Sequence, residues 1–257
     1  MSVDQPQVLV EVCVGSVADV ELAVTAGAGR VELCGGLELG GLTPSLGTVE
    51  AVLAASSLPV VVMLRPRAGG FCYDRHEFAA MLCDADQFLK MGVEGIVFGV
   101  LERRGSIDAS RSREIVACAG PHDTVFHRAF DFVANWKAEL DVLIDMGCTR
   151  VLTSGGQSTA LSGAATLREM IDYAAGRIEV LPGGGIRADN VAEIVRTTHC
   201  RQIHIGVGGP GNDGSLTVER GIELGSRRFL EGANYQVVDA ATLKATVAAV
   251  QGVTLDK

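Results

Sequence analysis

Lysine is scarce in this chain of 257 residues: only Lys90, Lys137, Lys244 and Lys257 occur. All four fall on stretches that read as helix or at the terminus, so none is placed to form a Schiff base, which argues against a class I aldolase. No H-x-H, H-E-x-x-H or comparable metal spacing is present, which speaks against a barrel-type zinc hydrolase, and no two cysteines form a C-x-x-C. Aromatic residues make up only 5% of the chain. Lys and Arg form no basic stripe and the net charge is −9, so nucleic acid is not an expected partner. There is no uninterrupted apolar run of about 18 residues to span a bilayer and no charged-then-apolar leader, so a cytoplasmic location and no membrane partner are expected. In such a reducing compartment the seven cysteines are free thiols, each a small core residue or a ligand.

What the chain does have is a matched pair of apolar segments near its start, Val8-Leu-Val-Glu-Val-Cys-Val14 and Arg30-Val-Glu-Leu-Cys34. Side chains alternate along a strand, so Glu11 shares a face with Cys13, and Glu32 with Cys34. The segment between them reads as one amphipathic helix over 16–27, which is what a parallel crossover requires. Four such side chains on neighbouring strands suggest the floor of a site.

The same unit repeats. Strands are expected at 8–14, 30–34, 59–65, 95–99, 124–128, 149–153, 177–181 and 201–205. Helices are expected at 16–27, 44–56, 74–91, 108–119, 135–147, 160–175, 188–198 and 239–250, with start signals at Ser16, Thr43-Pro44 and Asp189-Asn190. Eight alternations without a linker predict an α/β fold in one domain over 1–257, a (β/α)8 TIM barrel in preference to an open sheet. Residues 206–238 break the rhythm and read as a long flexible loop over the barrel mouth. The loop opens with G-x-G-x-x-G at Gly206, Gly208 and Gly211, but Asn212-Asp213-Gly214 follows in place of a helix, so no nucleotide cofactor is expected.

Working residues of such barrels sit at the C-terminal strand ends. Those ends carry Glu11, Cys13, Glu32, Cys34, Arg65, Arg67, Phe98, His127, Arg128, Asp131, Thr153, Ser154, Gly183-Gly184-Gly185 and His204, too polar a set for plain core. His127, with Asp131 to orient it or a neighbour, and Glu11 or Glu32 are candidates for acid–base catalysis. Gly183, Gly184 and Gly185 lead towards a helix and read either as an anion cradle or as a tight turn. Arg65 and Arg67 would add charge to such an anion, although Arg65 reads more readily as a partner of Glu32 or Glu11. His204 is a weaker candidate. Cys13 and Cys34, if level on adjacent strands, could share a soft ion such as Cu(I), or be two small buried hydrophobes.

Taken together, several segments resemble the CutC copper-homeostasis family: Glu11-Val-Cys-Val-Gly-Ser16, Arg30-Val-Glu-Leu-Cys34, Gly40-Gly-Leu-Thr-Pro-Ser45, Val62-Met-Leu-Arg-Pro-Arg67, Val97-Phe-Gly99, Phe126-His-Arg-Ala-Phe-Asp131, Arg150-Val-Leu-Thr-Ser-Gly155 and Leu181-Pro-Gly-Gly-Gly185. The likeness weakens after His204, where the family continues with small Ser and Ala residues and this chain has Ile205-Gly-Val-Gly-Gly-Pro210. The resemblance implies a TIM barrel, a cytosolic homo-dimer or homo-tetramer, and a role in copper handling, with two Cu(I)-ligating cysteines that map onto Cys13 and Cys34. The expected partner is therefore a copper ion or, if the barrel is an enzyme, a small anionic or phosphorylated metabolite.

Overall fold

The computed structural model describes residues 8–212, 215 and 234–253. Eight parallel strands alternate with helices. The strands are β1 (Leu9–Val14), β2 (Arg30–Leu33), β3 (Val60–Met63), β4 (Gly95–Phe98), β5 (Asp123–Phe126), β6 (Arg150–Thr153), β7 (Glu179–Pro182) and β8 (Gln202–Ile205). Each pairs with the next, β1 also pairs with β8, and the single bridge Gly183↔His204 closes the ring between β7 and β8. Stepping through successive partners from Glu11 returns to β1 eight residues from the start. That is the shear of a (β/α)8 barrel.

The helices are α1 (Val17–Ala26), α2 (Leu46–Ala55), α3 (Arg75–Lys90), α4 (Ala109–Ala119), α5 (Trp136–Asp145), α6 (Ala164–Ala174), α7 (Val191–Thr198) and α8 (Ala240–Gln251). Side-chain caps start most of them. Ser16 accepts from the Asp19 N–H at 3.2 Å, and Asp74 forms a reciprocal box with Glu77. α2 is capped by Ser45, not by Thr43-Pro44, because Thr43 is occupied elsewhere: its hydroxyl accepts from the Arg65 N–H at 2.9 Å. α6 and α7 begin a few residues later than the sequence suggests. At α7, Asn190 bonds back to the Arg187 N–H and makes no cap bond to the helix.

Alternation divides two cores. Val10, Val12, Val31, Val60, Val62 and their counterparts face the helices and form the larger core. Val61, Met63, Val97, Val125, Leu152 and Leu181 point inward and fill the barrel on the side of β3 to β7. On β1, β2 and β8 the inward positions are Glu11, Cys13, Arg30, Glu32 and His204 instead, all but Cys13 at 8% exposure or less. These polar residues cluster on the β1, β2 and β8 side; across the ring the inward Arg150 of β6 pairs with Asp123 of β5.

The 206–238 stretch is not simply a loop. Its two ends pair antiparallel as β9 (Gly208–Asn212) and β10 (Asn234–Val238). Residues 213–214 and 216–233 of the expected loop lie outside the described residues. The glycines read from G-x-G-x-x-G serve this ladder: a Cβ on Gly208 would fall 1.8 Å from Gln236 Nε2, and one on Gly211 2.8 Å from the Tyr235 ring. Val238 donates its N–H to Asp19 Oδ1 at 2.9 Å, which ties the ladder to α1.

Candidate functional site

The registers set the site. Glu11 stands beside Arg30 on one neighbour and His204 on the other, so three side chains run in a row across β2, β1 and β8. Arg30 Nε donates to Glu11 Oε2 at 2.5 Å, and the other carboxylate oxygen, Oε1, lies 2.7 Å from His204 Nδ1. Arg30 Nη2 also reaches Gln202 Oε1 at 2.6 Å. One step towards the mouth, Cys13 is level with Glu32. Cys34 follows Glu32, so the two cysteines are not level, yet their sulfurs stand only 3.8 Å apart. Cys34 Sγ lies 3.5 Å from Glu32 Oε2, and His204 Nε2 lies 3.8 Å from the same oxygen. Cys13 Sγ, a Glu32 oxygen and a His204 nitrogen all fall within 4.8 Å of one another.

Burial and charge then decide the ionisation states. Burial works against the Glu11 carboxylate, but His204 and Arg30 outweigh it and hold the group down at about 2. The contact with the Cys34 sulfur and the nearby His204 overcome burial to bring the Cys13 thiol down to about 5. Cys34 moves the other way, because the same contact, burial and the neighbouring Cys13 and Glu32 charges all favour its protonated form. Burial, together with the Cys13 and Glu11 charges, pushes Glu32 up to about 8 against the pull of His204. His204 is raised well above its ordinary value: burial opposes its charge, but Glu32, Cys13 and Glu11 surround it with acceptors. Negative charge is thus favoured at Glu11 and Cys13 and disfavoured at Glu32 and Cys34, and His204 is pushed towards its charged form by the acceptors around it.

A cavity of about 460 Å³ opens above this cluster. Cys13, Glu32, Cys34 and His204 line one side of it, and Arg65, Phe71, His127 and Arg128 line the other, with Met63 and Leu152 below and β10 residues Gln236 to Val238 at the rim. His127 is held by its neighbours. The Ala129 N–H donates to its Nδ1 at 3.1 Å, so the ring proton resides on Nε2. A Cβ on Gly99 would fall 2.2 Å from His127 Cε1, so glycine is what admits the ring. Burial, with the Arg65 charge in support, takes the imidazole down to about 3, which leaves it neutral.

Other expected positions sit elsewhere. Arg65 pairs with neither Glu32 nor Glu11; Arg30 takes that role, because the register sets it beside Glu11 while Arg65 lies beyond the end of β3. Arg65 Nη1 instead donates to the carbonyls of Leu39, Gly40 and Gly41 at 2.9, 3.2 and 3.0 Å, and Nη2 to Gly69 O at 3.0 Å, clamping the loop after β2 to the loop after β3. Arg67 turns out of the cavity to pair with Glu77 at the start of α3 and to donate to Cys72 O. Asp131 does not orient His127. Its carboxylate accepts from Thr153 Oγ1, the Ser154 and Gly156 N–H groups and Arg128 Nε, at 2.5, 2.9, 3.1 and 2.7 Å, and so pins the segment after β5 to the end of β6.

The run Gly183 to Gly185 is tied to its neighbours through one amide and two carbonyls. Gly183 N–H bonds to Thr153 O, Gly184 O accepts from Ala160 N–H, Gly185 O accepts from Asn190 Nδ2, and α7 begins only at Val191. None of the three lines the cavity. Sequence reasoning missed Arg30 and undervalued His204; the signal for both was strand alternation, since Arg30 shares a face with Glu32, and His204 with Gln202.

Comparison with known proteins agrees with these motifs. The CutC family profile matches residues 8–209. A family protein CutC of Treponema denticola is 49% identical over 195 residues, covering 76% of this chain and 79% of its own length. A mouse protein named copper homeostasis protein cutC homolog is 38% identical over 236 residues, 92% of this chain and 87% of its own. A crystal structure of CutC from Streptococcus agalactiae superposes with a TM-score of 0.73 at 31% identity, covering 77% of this chain and 98% of that one. The chain belongs to the CutC family.

Proposed function

We propose that this protein handles copper, taking up Cu(I) between Cys13 and Cys34 at the barrel mouth. The observation that carries this reading is the 3.8 Å between the two sulfurs, since metal–sulfur bonds of about 2.3 Å let one ion reach both. Thiolates select soft cations such as Cu(I) over Mg(II) and Ca(II), and His204 Nε2, once an arriving ion displaces its proton, offers a nitrogen that also suits copper. Glu32 completes the donor set. Among the described residues every cysteine is a free thiol, as the reduced state of both metal and ligands requires. Named relatives support it: the mouse protein above and a Caenorhabditis elegans protein 41% identical over 201 residues are both called copper homeostasis protein cutC homologs.

Anaerobic titration of the whole protein with Cu(I) against a competing chelator tests the reading. We expect one Cu(I) per chain, lost in Cys13→Ser and in Cys34→Ser. Wild-type stoichiometry and affinity in both variants would remove the basis for the proposal.

A further inference from the structure

A single copper ion fills little of the cavity, whose size of about 460 Å³ falls in the range that holds small organic ligands. Its wall opposite the thiols carries a different chemistry. His127 is 4% exposed and lines the cavity, yet its Nε2 has no protein acceptor among the described residues. With Nδ1 already accepting from Ala129 N–H, Nε2 can only donate. Arg65, 8% exposed, lines the same wall; its Nε is likewise without a protein acceptor, and among the described residues it makes no ion pair with any carboxylate. Its guanidinium carbon rests 5.4 Å from the centre of the Phe71 ring, and that ring stands 5.0 Å from His127. Two buried donors, one of them cationic, thus flank one aromatic face. A ligand group that satisfies them must accept hydrogen bonds and carry negative charge.

We propose that this wall binds the oxyanion of a small organic molecule, a carboxylate or phosphate that accepts from His127 and faces the Arg65 charge, with an apolar body lying on Phe71, Met63 and Leu152. The assignment goes beyond the copper reading and uses none of the residues that carry it. The apolar body follows from the lining between the two polar sides, where Met63 and Leu152 belong to the inner barrel core and Phe71 stacks on the half-exposed rim.

Calorimetric titration of the full chain with phenylacetate, phenyl phosphate and 2-phenylethanol tests it. These probes share a ring but differ in the group presented. At least one of the two anions is expected to bind more than tenfold tighter than the alcohol, and the better anion identifies the ligand class. His127→Phe keeps the ring volume and removes the donor, so it should weaken the anion about ten- to a hundredfold, the effect of one hydrogen bond to a charged acceptor. His127→Gln keeps an N–H in reach and should recover most of the affinity. Cu(I) stoichiometry should be unchanged in His127→Phe, and the preference for the anion unchanged in Cys13→Ser, so loss of one property leaves the other readable. Equal binding of acid and alcohol by the wild type, undiminished anion binding by a folded His127→Phe, or no binding of any probe would overturn the proposal.

Discussion

The state of His127 can be read from stability alone. Its imidazole is buried between Phe71 and Phe126, with ring centres 5.0 and 6.2 Å away, and its ordinary pKa of 6.5 falls to about 3 through burial and the nearby Arg65 charge. Below pH 6.5 the unfolded chain binds a proton at this residue and the folded chain does not, so stability is lost as pH falls from 6.5 towards 3. Each pH unit in that window costs about 1.4 kcal/mol, so the loss between pH 8 and pH 5 is about 2 kcal/mol. Glu32 has the opposite sign. It is raised to about 8, which favours the folded state below its unfolded value and withdraws that support as pH rises from 4.5 to 8. The wild-type pH profile therefore mixes both, and the difference between wild type and His127→Gln isolates the histidine. Urea unfolding of both proteins at pH 8 and pH 5 measures it. The variant is expected to be the less stable at pH 8, through lost packing, and that deficit should shrink by about 2 kcal/mol at pH 5. A deficit that does not change with pH, or a His127 ring proton that titrates near 6.5 by NMR, would refute the reasoning.

Two further outcomes follow from the buried ion pairs. Arg30→Met removes one partner from the Glu11 carboxylate inside the barrel and should cost about 3 to 5 kcal/mol in urea unfolding, and the double variant with Glu11→Gln should be less destabilised than the two single effects summed. Asp131→Asn weakens the anchor between the segment after β5 and the end of β6 and should cost about 2 kcal/mol, while Cu(I) stoichiometry stays at the wild-type value because no atom of Asp131 lines the cavity.

Most of the barrel is legible in the sequence because the two periodicities alternate cleanly, and β-branched runs such as Val60 to Val62 can be little else than buried parallel strand. Register is not legible in that way. It depends on partners in other strands, and here it sets Cys13 level with Glu32 and Glu11 level with Arg30, where a reading strand by strand sets cysteine beside cysteine. Arg30 illustrates the cost. As the first residue of a short strand it reads as a solvated flank, and only pairing with Glu11 across β1 reveals a buried cation. The β9–β10 ladder was hidden for another reason: Gly208-Gly-Pro-Gly211 has the composition of a turn, and what makes it a strand is the approach of Gln236 and Tyr235, residues 25 and 24 positions away in chain order from Gly211. Arg67 and Asp131 were drawn away from the cavity by partners, Glu77 and the Ser154 backbone, that local spacing does not point to.

The asymmetry of the ring places paired charges and thiols on one wall of the cavity and an unpaired cation on the other. A buried charge is tolerated only where an opposite charge is fixed beside it. On β1, β2 and β8 the register supplies that pairing strand to strand, from Arg30 through Glu11 to His204, so the cluster is held by the sheet and not by mobile loops. Across the cavity Arg65 is neutralised differently, by four loop carbonyls, which fix its position but leave its positive charge without an anion. Met63 and Leu152, with Val97, Val125 and Leu181 of the same inner layer, present apolar side chains between the two walls, while the inward Arg150 is taken up by Asp123. On the two proposals above, a soft cation would enter the β1–β2 end by displacing thiol protons, so the net charge there need not change, while the β3–β5 end would gain the anion that Arg65 lacks.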